Sequence, residues 1–146
     1  MGKHLPTAIL ASYLVLIKEG KVLLARRANT GYYDGFYSVP AGHVEAGESF
    51  NQAFMREMSE EVGIHLQPED FVVSHVMHRK AEDGSERTEA FYNITHWDGD
   101  IQNLEPEKCD DLSWFPIAAL PKNTIPYMKH VIDCINKRVF YSEYGW

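Results

Sequence analysis

The sequence predicts an α/β fold, an α/β/α sandwich with a mixed β-sheet, and three patterns carry that prediction. Runs rich in β-branched, aliphatic and aromatic residues stand at 8–17, 22–25, 71–79, 87–96 and 112–115, the composition expected of strands. Helix-end signals bracket two further segments, one between Ser49 and Gly63 and one opening at Pro126. No repeat, low-complexity stretch or Pro/Ser-rich linker divides the chain, so residues 1–146 read as a single domain. At 146 residues and 45% apolar content, such a domain can bury well over half its surface.

The elements follow in order. Residues 8–17, Ala-Ile-Leu-Ala-Ser-Tyr-Leu-Val-Leu-Ile, form an apolar run behind Lys3. It is too short to span a membrane. It leads into Lys18-Glu19-Gly20-Lys21 with no small-residue cleavage site, and Val22 to Ala25 follows as a second run. A buried hairpin is expected here. Tyr32, Tyr33, Phe36 and Tyr37 crowd the next loop, where aromatic rings can pack the loop or stack on a base. Ser49 with Gln52 three positions later is a capping-box pattern. Gly63 supplies the stop, which leaves a helix of about thirteen residues.

Within that helix Phe54, Met58 and Val62 form an apolar stripe for the core. Glu57, Glu60 and Glu61, three and four residues apart, project from one face. Downstream, 71–79 and 87–96 read as a second hairpin around the turn Glu82-Asp83-Gly84-Ser85. His75 and His78 are three apart on the first of these strands and face opposite sides, so they make no metal pair. A short strand at 112–115, a turn at 116–121 and a helix from Ile125 to about Lys137 follow. The tail from Val139 to Trp146 is unusually aromatic and either packs over the core or makes a homodimer contact.

The chemistry is concentrated between Gly42 and Ile64. Three carboxylates converging on one helix face repel, and hard oxygen-seeking ions such as Mg²⁺ or Mn²⁺ relieve the repulsion. Gly42, Glu48, Arg56, Glu57, Glu60, Glu61 and Gly63, with apolar Met58 and Ile64, stand at fixed spacings. At ordinary residue frequencies, roughly 7% each, seven such identities would coincide in one window with odds on the order of 10⁻⁸. The pattern Gly-x5-Glu-x7-Arg-Glu-apolar-x-Glu-Glu-x-Gly-apolar resembles the Nudix box, and the chain resembles a Nudix hydrolase.

That resemblance implies the same mixed-sheet sandwich and a cation-assisted hydrolysis of a diphosphate. It puts the metal ligands at the Ala41 carbonyl, Glu57, Glu60 and Glu61, with Arg56 holding a glutamate by charge-assisted hydrogen bonds. Glu60, Glu61 and Arg56 form the expected catalytic set, with either glutamate as general base. Glu48, ahead of the helix cap, is expected to serve structure first. Arg27 matches an arginine that contacts phosphate in similar nucleotide hydrolases, and Tyr37 and Asp111 join it as substrate-binding candidates. Asp110 and Asp111 are candidates for an acidic ligand outside the box, and Tyr127 and Met128 for the base pocket.

The resemblance also narrows the substrate. Arg79 stands where ADP-ribose types often carry proline, and Lys80, Ala81 and Glu82 occupy the stretch where dinucleoside-polyphosphate types tend to carry tyrosine. The expected substrate is therefore a (d)NTP or oxidised (d)NTP, cleaved to monophosphate and pyrophosphate. The alternatives are a nucleoside diphosphate-sugar or capped RNA, or a nucleotide-sensing module without turnover. A net charge of −7 argues against a dedicated nucleic-acid groove. Cys109 and Cys134 are too few and too far apart for a disulfide framework, which suits a reducing cytoplasm.

Overall fold

The computed structural model describes residues 3–146. In chain order the elements are β1 (Ile9–Leu14), β2 (Ile17–Lys18), β3 (Lys21–Arg27), β4 (Tyr37–Ser38), β5 (Ala41–His43) and helix α1 (Phe50–Val62). Then come β6 (Phe71–Lys80), β7 (Glu86–Ile94), β8 (Cys109–Pro116), helix α2 (Pro126–Asn136) and β9 (Tyr141–Tyr144). Five strands form a mixed sheet in the order β5-β1-β7-β6-β9, with β1 parallel to β7 and β6 parallel to β9. A second, antiparallel sheet is organised around β3, which pairs with β8 and with the short strands β2 and β4.

The expected hairpin of 8–17 with 22–25 is not what forms. β1 joins the mixed sheet between β5 and β7, and only β2 turns back on β3. The reason is burial on both faces: Ala11 to Leu16 are all buried, so this segment passes from one layer into the other instead of lying on a half-exposed ribbon. The second hairpin forms as expected, antiparallel from Phe71↔Ile94 to Lys80↔Glu86.

Alternation along the central strands divides the core. Leu14, Ala90 and Tyr92 pack with Phe54, Met58 and Val62 of α1. Ala11, Tyr13, Met77 and Phe91 point to the other face and pack with Tyr127, Met128, Val131 and Ile132 of α2 and with Val22 and Leu24 of β3. The aromatic tail docks along β6, with Val76 opposite Tyr141 and the Trp146 indole N–H donating to the His78 carbonyl at 3.0 Å. His75, which sits beside a bulge in β6, is wholly buried between the Val139 carbonyl and the Ser142 hydroxyl, each 2.7 Å away.

Candidate active site

α1 owes its position to its ends and its stripe. Ser49 Oγ accepts the Gln52 N–H at 3.1 Å while the Gln52 side chain accepts the Ser49 N–H at 2.9 Å, completing the capping box. Gly63 ends the helix in the left-handed region at φ 74°, its N–H returning to the Met58 carbonyl. With Phe54, Met58 and Val62 buried, Arg56, Glu57, Glu60 and Glu61 are turned toward β5 and a cleft of about 780 Å³.

Arg56 organises the near wall. Its Nε and Nη2 donate to the two oxygens of Glu48 at 2.7 and 3.0 Å, and Nη1 donates to Glu57 at 2.8 Å and to Glu60 at 3.3 Å. Nη2 also reaches the His43 carbonyl at 3.2 Å. The bidentate contact from Arg56, seconded by the Glu45 N–H, holds Glu48 at a pKa of about 2. Glu48 is thus a brace for Arg56. Burial lifts Glu57 above the usual carboxylate range, against the pull of Arg56. Gly42 makes that burial feasible, since a Cβ there would overlap the Glu57 carboxyl.

Glu61 is the most perturbed acid of the site. Its Oε2 accepts the Ala41 N–H at 3.0 Å, and burial together with the charges of Glu57 and Glu105 raises its pKa to about 9. Although the residue keeps some contact with solvent, its carboxyl is set among negative neighbours and makes no ion pair among the described residues. Glu105, whose charge is felt at both Glu57 and Glu61, comes from outside the box. Its loop is pinned to the end of α1, where Gln102 N–H and Leu104 N–H donate to the Val62 and Glu61 carbonyls, both at 3.0 Å.

Glu57, Glu60, Glu61 and Glu105 all line the cleft, as does Ala41. This donor set is hard oxygen throughout, and the raised Glu61 records a charge imbalance that a divalent cation would relieve. Among the described residues no three acidic, His or Cys side chains already stand close enough to chelate an ion. Arg56 holds Glu57 and Glu60, and Glu61 is turned to the Ala41 peptide, so the acids line the site without collapsing onto one point.

Comparison with known proteins places the chain in a family. The NUDIX domain family model covers residues 8–133. The chain belongs to the Nudix family. Similar proteins include the NAD-capped RNA hydrolase NudC of Stutzerimonas stutzeri, 33% identical over 110 residues, 75% of this chain and 37% of the relative. The 8-oxo-dGTP diphosphatase of Proteus vulgaris is 29% identical over 94 residues, 63% of this chain and 80% of the relative. The chain spans about two fifths of the length of the NudC relatives it matches. In fold it is similar to the MutT Nudix hydrolase of Burkholderia pseudomallei, with a TM-score of 0.77 at 22% identity, covering 87% of this chain and 97% of that one.

In this Nudix domain the residues expected to touch substrate separate into two groups. Arg27 lines the cleft, but its Nε donates to the Tyr32 carbonyl at 2.6 Å and its Nη2 to Thr30 Oγ1 at 3.1 Å, so it also braces the aromatic loop. Tyr32 and Tyr127 line the cleft too. Tyr37 and Asp111 do not. The Tyr37 hydroxyl donates to Asp111, whose other oxygen takes the Ser113 hydroxyl at 2.6 Å, and the Tyr37 ring packs on Phe115 in the core. Both belong to the scaffold of the second sheet. Asp110 pairs with Arg26 at 2.6 Å on the surface, and Met128 is core. Glu105, Asn103, Lys108 and Arg87 line the cleft and had no sequence signal, because tertiary contacts alone bring them there.

Proposed function

We propose that this Nudix domain is a divalent-cation-dependent pyrophosphohydrolase that converts a nucleoside triphosphate, ordinary or oxidised, to its monophosphate and pyrophosphate. The observation that supports it most is the gathering of Glu57, Glu60, Glu61 and Glu105 on one side of a nucleotide-sized cleft that also holds Arg27, Tyr32 and Tyr127. Mg²⁺ or Mn²⁺ held by Glu57, Glu60, Glu61 and the Ala41 carbonyl would neutralise the diphosphate and polarise phosphorus. Arg56 keeps Glu57 and Glu60 aimed at the cleft and is a positioning residue. Water attacks phosphorus, Glu60 or Glu61 takes its proton, and the P–O bond to the departing pyrophosphate breaks. Free thiols at Cys109 and Cys134 fit a reducing, cytoplasmic setting.

The test is pyrophosphate and phosphate release with Mg²⁺ and with Mn²⁺ across ordinary and oxidised (d)NTPs, nucleotide sugars, ADP-ribose, dinucleoside polyphosphates and NAD. Release of pyrophosphate from a triphosphate, lost by roughly two orders of magnitude or more in Glu60→Gln or Glu61→Gln, is the expected result. Full activity in both variants would refute the mechanism. A second reading, cleavage of a capped RNA or of NAD, draws on the relatives named as NAD-capped RNA hydrolases. The charge of −7 sets it below the first for long RNA.

A further inference from the structure

Among the described residues a single buried side-chain nitrogen or oxygen lacks a hydrogen-bond partner, the Nε of Arg87. Buried polar groups are almost always paired, and an orphaned guanidinium N–H calls for an acceptor from outside the chain. Arg87 lines the cleft. On β7 it shares its face with Glu89 and Phe91, and across the hairpin it stands opposite Arg79. None of these neighbours accepts from its Nε, since Arg79 and Phe91 carry no side-chain acceptor and Glu89 is turned to other donors. Glu89 already takes Arg79 Nε at 2.7 Å, Arg79 Nη2 at 3.1 Å and the Tyr13 hydroxyl.

The sheet order fixes where this donor lies relative to the acids. β5, which carries Ala41 and Gly42, is separated from β7 by β1 alone, with small Ala11 between His43 and Glu89. Two strand spacings and an offset of three residues along the strands set the backbone of Arg87 roughly 14 Å from Gly42, and the long arginine side chain, which lines the same cleft, spans part of that distance. What remains beyond the side chain is comparable to the reach from a scissile phosphate to the base of the same nucleotide. The surroundings favour a flat, neutral group over a polyphosphate. Tyr13, Tyr32 and Tyr127 line the same cleft as Arg87, and the adjoining turn carries Glu82 and Asp83.

We propose that Arg87 reads the nucleobase, donating to an edge that offers two adjacent acceptors, guanine O6 and N7 or cytosine O2 and N3. The assignment rests on the nucleotide-hydrolase reading above and names its specificity determinant. Adenine is disfavoured because its N6 amino group would meet the guanidinium donor to donor. A purine oxidised at C8 is disfavoured likewise, since its N7 becomes a donor.

Binding of GMP, CMP, AMP, UMP and ribose 5-phosphate to the full chain, followed by calorimetry, tests the assignment without requiring turnover. The wild type is expected to bind GMP or CMP about tenfold or more tightly than AMP. Arg87→Met should erase that preference while leaving ribose 5-phosphate binding unchanged, and Arg87→Lys should restore part of it. Circular dichroism and melting of each variant establish that it folds. Loss of ribose 5-phosphate binding in a folded Arg87→Met would assign the residue to phosphate and overturn the proposal. An unaltered preference, or none in the wild type, would overturn it as well. Failure of the hydrolase reading shows separately, as silence in the release assay while base preference persists.

Discussion

A methyl group added at Gly42 has no room, because the Glu57 carboxyl lies against the Cα hydrogens. The backbone of Gly42 is not in the left-handed region, so Gly42→Ala introduces no dihedral strain and acts through the displaced acid alone. Swinging Glu57 away takes it from Arg56 Nη1, which holds it at 2.8 Å. Loss of such an outer contact costs roughly 10- to 100-fold in metal affinity or activity. Gly42→Ala is therefore expected to lower turnover by that factor, with a melting temperature close to wild type. Unchanged turnover would show that the placement of Glu57 is not needed. The residues of the box are legible in the sequence because their spacing is short and their partners local. Glu48 and Arg56 are eight positions apart, and one helix with its cap brings them together. Glu105 and Arg87 were not legible, since their neighbours in the cleft lie tens of residues away and no composition marks them.

Elements with local signals formed where the residues put them. α1 runs from Phe50 to Val62 between its capping box and Gly63, and α2 opens at Pro126. β1 escaped the same reading because an apolar run states burial without stating which sheet receives it. The aromatic tail docks as β9 along β6 and is tied there through His75. Burial is the main cause that depresses the His75 pKa, so the folded state holds the ring neutral, donating from one nitrogen to Val139 and accepting Ser142 at the other. His130 on α2 adds a smaller push in the same direction. A base with a lowered folded pKa stabilises fully above its unfolded value, roughly 6.5, and loses that contribution as pH falls toward the folded value. Acidification from about pH 7 to 5 should therefore loosen β9, seen as faster amide exchange at Val76, His78 and Tyr141 to Tyr144. His75→Gln, which keeps a donor and an acceptor without a proton to gain, should flatten that dependence. Equal pH dependence in both proteins would rule out the ring as its source.

The whole molecule is tied together behind the cleft by a buried ion pair. Arg79 on β6 and Glu89 on β7 are 1% and 0% exposed. Tyr13 on β1 donates to Glu89, and the Arg79 guanidinium lies 3.8 Å from the ring centre of Tyr127 on α2. Three strands and a helix thus meet at two opposite charges. Burial works against the charge on Arg79, but the hydrogen bonds with Glu89 outweigh it and keep the guanidinium ionised. Such a pair adds little over a well-packed apolar substitute, whereas removal of one partner strands the other charge in the interior and costs about 3–5 kcal/mol. Arginine cannot escape by losing its proton, so the worse single change is the loss of the acid. Glu89→Leu is expected to destabilise by that amount, a large share of the 5–15 kcal/mol typical of a folded domain. Arg79→Met should cost less, because Glu89 keeps the hydrogen bond from the Tyr13 hydroxyl. The double variant Arg79→Met with Glu89→Leu should be more stable than Glu89→Leu alone. Denaturant titration of the four proteins closes the cycle, and simple additivity of the two single costs would mean that the charges are not coupled through the core.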